Sequence, residues 1–155
     1  MRKISLPLLA CLICSSAYAE EALQQPVTYK EFYEFANQVD DKAHTLTVAQ
    51  FKEMMSDPEV IIADLRSKEA YDQEHIKGAV HLGPDITLEK LQSIAPSSDK
   101  KIIMYCANSL FQTRMVSLTD VALPQALYLG YKNTYILERY SGQGEKIDLP
   151  FEGQP

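Results

Sequence analysis

Tryptophan is absent from this chain of 155 residues, cysteine occurs three times, and glycine only six. Two of the cysteines, Cys11 and Cys14, fall in the N-terminal stretch, so beyond it Cys106 stands alone. One cysteine cannot close an intramolecular disulfide, which excludes a fold stapled by bridges. No set of His, Cys and acidic residues has the spacing of a metal site. There is no Gly-x-Ser-x-Gly, so no serine-hydrolase elbow. No basic run occurs and the net charge is −6, which argues against nucleic acid and against anionic membranes as partners. No apolar run approaches the roughly 20 residues of a membrane span.

What is present begins with the N-terminus. Met1-Arg2-Lys3 is a short basic head, residues 4–16 are apolar or small, and Ala17-Tyr18-Ala19 has the small-x-small form of a cleavage site. The segment 1–19 therefore reads as a secretory signal, with Glu20 opening the mature chain and a periplasmic or secreted location expected. Leu8-Leu9-Ala10-Cys11 loosely resembles a lipid-attachment box, but the apolar stretch before Cys11 is very short, and soluble export without a membrane anchor is favoured. Loss of Arg2 and Lys3 leaves 13 basic against 21 acidic residues, a net charge of −8. The remaining residues suffice for one hydrophobic core and are too few for two ordinary domains.

Two stretches share one helix-start pattern. In Val27-Thr28-Tyr29-Lys30-Glu31-Phe32 and Leu46-Thr47-Val48-Ala49-Gln50-Phe51, the threonine caps, the Glu or Gln three residues on completes a capping box, and flanking apolar residues staple the turn. Helices are expected from about 28 and 47, with Tyr29, Phe32, Tyr33, Ala36 and Val39 of the first forming a stripe that docks on the core. The continuous apolar runs Val60–Ala63 and Ile102–Tyr105 fit strands buried on both faces of a parallel sheet. Shorter strands are expected at 78–82 and 133–137. Helices are expected after Ser67, over 87–94 and around 112–128, with Gly130 closing the last. Strands alternating with helices imply an α/β domain. Residues 20–44 form a helical N-terminal extension, 45–140 the domain, and 141–155 an irregular tail.

Cys106 follows a buried strand and precedes a predicted helix, where ligands gather in open parallel sheets. Free backbone N–H groups at a loop and helix start favour negative charge, as a nucleophilic thiolate requires. Two readings stand side by side: a reactive, solvent-accessible thiol, or a small buried hydrophobe closing the core. The absence of any partner cysteine in an exported chain favours reactivity.

Asp64-Leu65-Arg66, His75-Ile76-Lys77-Gly78-Ala79, Tyr105-Cys106 and Gly130 to Leu137, in that order, resemble a single rhodanese domain spanning about Thr45 to Leu137. The resemblance implies a five-stranded parallel sheet flanked by helices, and sulfur transfer through a persulfide on a loop cysteine. It makes Cys106 the nucleophile, has the N–H groups of Ala107, Asn108, Ser109, Leu110, Phe111 and Gln112 cradle the persulfide, and requires no cofactor. Asp64 and Arg66 become an ion pair supporting that loop, while His75 is structural. The implied partners are a small sulfur donor, or a protein persulfide or thiol acceptor. Rhodanese loops usually carry arginine and often glycine within six positions of the cysteine; here there is neither, and Arg114 is the nearest cation. The interval to Gly130 is about six residues longer than usual, taken up by an enlarged loop or by an insertion around Asp120–Pro124. A catalytically weak binding module, a disulfide-linked dimer and a thiol redox sensor are the alternatives.

Overall fold

The computed structural model describes residues 28–113, 115–142 and 146–154. The expected signal segment 1–19, residues 20–27 with the expected Val27 staple, and Arg114 lie outside the described residues.

Thr28 caps helix α1 (Tyr29–Ala36) and Thr47 caps α2 (Val48–Met54), each in a complete capping box with Glu31 or Gln50. Such a cap contributes about 1 kcal/mol. Between them the short strand β1 (Thr45–Leu46) follows a 3-10 turn at Asp41–His44. Then come β2 (Val60–Asp64), α3 (Lys68–Gln73), β3 (His75–Ile76), β4 (Val80–His81) and α4 (Leu88–Ile94). The chain continues through β5 (Lys101–Tyr105), α5 (Ala107–Leu110), α6 (Leu118–Tyr128) and β6 (Thr134–Leu137), and β7 (Phe151–Glu152) is the last element. Five strands form a sheet in the order β1-β6-β5-β2-β4, every pair parallel, with helices against it.

Alternation along the central strand divides the core. Ile102 and Met104 point to the face covered by α4 and α6, with Leu91, Ala122, Leu123 and Ala126. Ile103 and Tyr105 point to the other, with Phe51, Leu137 and Leu110. Cys106 continues the even series into the first cluster, so its side chain turns under the start of α6.

Four features differ from the sequence-based expectations. The helix expected around 112–128 starts at Leu118, because the described residues before it, 111–113 and 115–117, are not helical. Pro124 sits inside α6 and is buried there; its missing N–H falls against the carbonyl of Asp120, an exposed residue that water can solvate. On α1 the aromatic stripe splits. Phe32 meets Tyr128 edge-on, joined by Phe35, which the expected stripe did not include, with ring centroids 5.7 and 5.1 Å away, whereas Tyr29 and Tyr33 stack on each other in solvent. The helix leans mainly on α6, so a narrow face suffices. Finally, the tail closes in β7, antiparallel to β3.

Gly130 ends α6 at φ +91°, a conformation other residues resist. Its N–H reaches Leu127 O, and the N–H of Tyr131 reaches Ala126 O, the paired bonds of a Schellman cap.

Candidate functional site

At the carboxyl end of β2, Asp64 is wholly buried and its carboxylate collects four donors. Arg66 gives its backbone N–H (2.9 Å), Nε (3.0 Å) and Nη2 (2.6 Å), and Tyr105 gives its hydroxyl (2.6 Å). Arg66 Nη2 also donates to Glu74 O at 2.6 Å, and Tyr105 Oη accepts the N–H of Ile76 at 3.1 Å. The expected Asp64–Arg66 pair is thus present. It grips the end of β5 through Tyr105, and Cys106 only as the next residue along. Burial alone would lower the Arg66 pKa, but the hydrogen bonds and charge of Asp64 outweigh it and hold the guanidinium above its ordinary value. His75 stacks on Tyr71 with centroids 3.9 Å apart, and His81 Nε2 lies 3.0 Å from Arg66 O, both structural placements.

Tyr105 is pushed well above an ordinary tyrosine, first by burial and then by the Asp64 charge; burial also raises Tyr71 and Tyr131. The sign follows from linkage. The folded state holds these protons longer, so stability is complete below the ordinary value of about 10 and falls as pH rises above it. For Tyr105 the slope is about 1.4 kcal/mol per pH unit. Urea midpoints at about pH 8 and pH 11 should show this fall, and Tyr105→Phe should flatten part of it. Equal steepness in the variant would mean that Tyr105 is not held neutral.

Cys106 is 2% exposed, so the accessible thiol expected from sequence is corrected: the residue is buried. The alternation of β5 explains this, since it aims the side chain into the apolar cluster under α6. Among the described residues its Sγ lies 3.5 Å from Ser117 Oγ and faces the backbone N–H of Ser109 in a capping box, and Ser117 Oγ is 2.7 Å from Thr119 Oγ1. Sequence reasoning missed both hydroxyls. Ser117 has the look of an N-cap before Leu118, yet its side chain makes no capping bond.

The six residues after the cysteine divide. Ala107–Leu110 form α5, and two of the six N–H groups are already committed: Ser109 to Cys106 O (3.0 Å) and Phe111 to Ala107 O (3.1 Å). The turn is tied down from outside. Ser109 Oγ donates to Leu137 O (3.1 Å), Asn108 Nδ2 to Met115 O (2.9 Å), Tyr140 N–H to Asn108 O (2.8 Å) and Ile147 N–H to Leu110 O (3.0 Å). Phe111 and Gln112 lie outside, and with Met115 and Val116 they form an exposed, mostly apolar lip. A cavity of about 630 Å³ opens between Arg66, Phe111, Phe151 and Gln154, and Cys106 does not line it. Chemically, the arrangement is a sulfur held in a neutral, hydroxyl-bearing pocket at a strand end, beneath a lip that carries no charge among its described residues.

Residues 47–139 match the model of the rhodanese-like domain family. The tRNA uridine(34) hydroxylase of Hamiltonella defensa is 28% identical over 119 residues, covering 70% of this chain and 32% of that protein. Its counterpart from Yersinia pestis is 25% identical over 117 residues, 70% of this chain and 31% of that one. The chain therefore spans about a third of the length of these curated relatives. Among solved structures, a rhodanese-like domain from Anabaena superposes with a TM-score of 0.54 at 20% identity, covering 72% of this chain and 80% of that one. A thiosulfate sulfurtransferase from Pseudomonas aeruginosa gives 0.53 at 18% identity, covering 71% and 20%. These structural likenesses establish the α/β fold with its parallel five-stranded sheet.

Proposed function

The chain belongs to the rhodanese-like domain family, and from that premise we propose that it is an exported sulfurtransferase or sulfur carrier working through Cys106. One observation carries the reading: the family match places Cys106 in the domain, and it sits at the carboxyl end of the central strand where the loop opens. The thiolate of Cys106 attacks the sulfane sulfur of a donor. The bond from that sulfur to the rest of the donor breaks, and the donor leaves with the electron pair. An acceptor thiolate or cyanide then takes the outer sulfur, which returns Cys106 to a thiolate, so no external oxidant or reductant enters.

The described residues of the lip carry no charge, and its exposed apolar side chains Phe111, Met115 and Val116 favour polarisable polysulfide or a protein persulfide over compact, strongly hydrated thiosulfate. RNA is not proposed as a substrate, because a net charge of −6 opposes the approach of a polyanion. Burial of Cys106 favours a second reading, a binding module in which the cysteine is packing.

Intact mass of protein recovered from the periplasm, after anaerobic exposure to polysulfide and separately to thiosulfate, tests both. The expected product begins at Glu20 and carries one added sulfur, removable by cyanide, with polysulfide loading at least about tenfold faster. No added sulfur from either donor, with Cys106 free and reduced, selects the binding module. A retained N-terminal segment would overturn export.

A further inference from the structure

Serine ahead of a helix normally spends its hydroxyl on the free N–H groups of the first turn. Ser117 immediately precedes α6 and does not. Its hydroxyl lies instead between Cys106 Sγ at 3.5 Å and Thr119 Oγ1 at 2.7 Å, and all three residues are at most 2% exposed. Forgoing a cap costs about 1 kcal/mol, so an uncapped helix start beside a buried sulfur calls for a compensating interaction there.

Cys106 otherwise packs in the apolar cluster of Leu65, Leu82, Met104 and Ala122, with the backbone N–H of Ser109 facing its sulfur from the first turn of α5. The titratable groups on the packed elements are engaged elsewhere. Asp64 and Arg66 pair with each other, Tyr105 donates to Asp64, Tyr131 donates to Ala95 O, and Asp120 pairs with Arg139 at the surface. Among the described residues, none of these hydrogen-bonds the sulfur.

The geometry points to Ser117, backed by Thr119, as the positioning residue that stabilises ionised Cys106 by hydrogen bonding. A hydroxyl rotor can serve either protonation state. With the thiol, S–H donates to Ser117 Oγ, and Ser117 donates on to Thr119. With the thiolate the chain reverses: Ser117 O–H donates to the sulfur and accepts from Thr119. Hydrogen bonding to the charged form favours that form, and a bond made in a dry site is electrostatically stronger than one in water. The same donor would hold the inner sulfur of a persulfide. This assignment rests on reading Cys106 as the reactive sulfur.

The test is the pH profile of Cys106 alkylation by iodoacetamide in the full chain, followed by the mass of the peptide carrying that residue. The midpoint reports ionisation of the native thiol even where reagent enters only through brief opening, because the closed forms dominate the population. Ser117→Ala is expected to move the midpoint up by about one unit, and Thr119→Val to move it the same way by less. Ser117→Thr, which keeps a hydroxyl, should restore it. A merely structural role would alter the plateau rate or the melting temperature and leave the midpoint in place. An unmoved midpoint in both hydroxyl-deleted variants overturns the assignment, and Thr119→Val alone decides it should Ser117→Ala fail to fold. No sulfur donor is present, so the two ideas fail separately. A shifted profile in a chain that loads no sulfur overturns the sulfur-transfer reading alone, while sulfur loading with an unmoved profile overturns this one alone.

Discussion

Cys106→Ser is expected to lose sulfur uptake entirely while keeping the fold. Serine matches cysteine in shape, and its hydroxyl inherits the bond to Ser117 Oγ, so the polar atom introduced into the apolar cluster is not left unpaired. The expected stability change is within about 1 kcal/mol. The chemistry does not survive, because a hydroxyl is barely ionised near neutral pH whereas a thiol is partly ionised and far more nucleophilic. Intact mass after polysulfide treatment reads the result directly. A gain of one sulfur that persists in the variant would sink the assignment. In a chain retaining its N-terminal segment, such a sulfur would sit on Cys11 or Cys14, and Cys106 would then be a packing residue.

Asp64→Ala should be the most damaging single change to stability, at about 3–5 kcal/mol. Its carboxylate is the common acceptor of two Arg66 nitrogens, the Arg66 N–H and the Tyr105 hydroxyl. Removing it strands a largely buried guanidinium beside the Tyr105 ring, whose centroid lies 5.7 Å away. It also takes the acceptor from the Tyr105 hydroxyl, which anchors Ile76 and hence β3. Truncating one member of a buried ion pair costs far more than the pair is worth, since the other member stays desolvated and unpaired. Urea unfolding measures the loss, and Arg66→Ala with the double variant separates the coupling from the packing. A double variant no more stable than Asp64→Ala would show that the stranded cation carried little of the cost. A loss below about 1 kcal/mol for Asp64→Ala would show that this network does not hold the strand ends together.

Much of this molecule was legible in its sequence where the determining interactions are local. Thr28–Glu31 and Thr47–Gln50 close hydrogen-bonded boxes within three residues, so residue identity and spacing suffice to place α1 and α2. The runs at 60–63 and 102–105 are apolar at every position because both faces of a central parallel strand are covered, a condition that leaves its mark on each residue. Cys106 at a strand end belongs to the same class, since it lies at an element boundary, whereas the Asp64–Arg66 pair was implied only by the family resemblance.

Other features depend on residues far apart in the chain. A two-residue strand carries no periodicity, so β1 exists only through Leu46 and Thr45 lying beside Leu137 and Ile136, and β7 only through Phe151 and Glu152 lying beside Ile76 and His75. Phe32 and Phe35 were chosen over Tyr29 and Tyr33 by where Tyr128 stands. The start of α6 at Ser117 was not read from sequence, which expected a helix from about 112, and nor was the partner its hydroxyl takes. Burial of Cys106 was decided the same way. Sequence places the cysteine at the end of β5, whereas the phase of that strand and the packing of α6 set which face it enters and whether water reaches it. Fold class, the starts of α1 and α2 and the candidate nucleophile follow from local hydrogen bonding and burial pattern. The sulfur's surroundings follow from the tertiary structure, because they are built from side chains that only the packed sheet and helices bring within 4 Å.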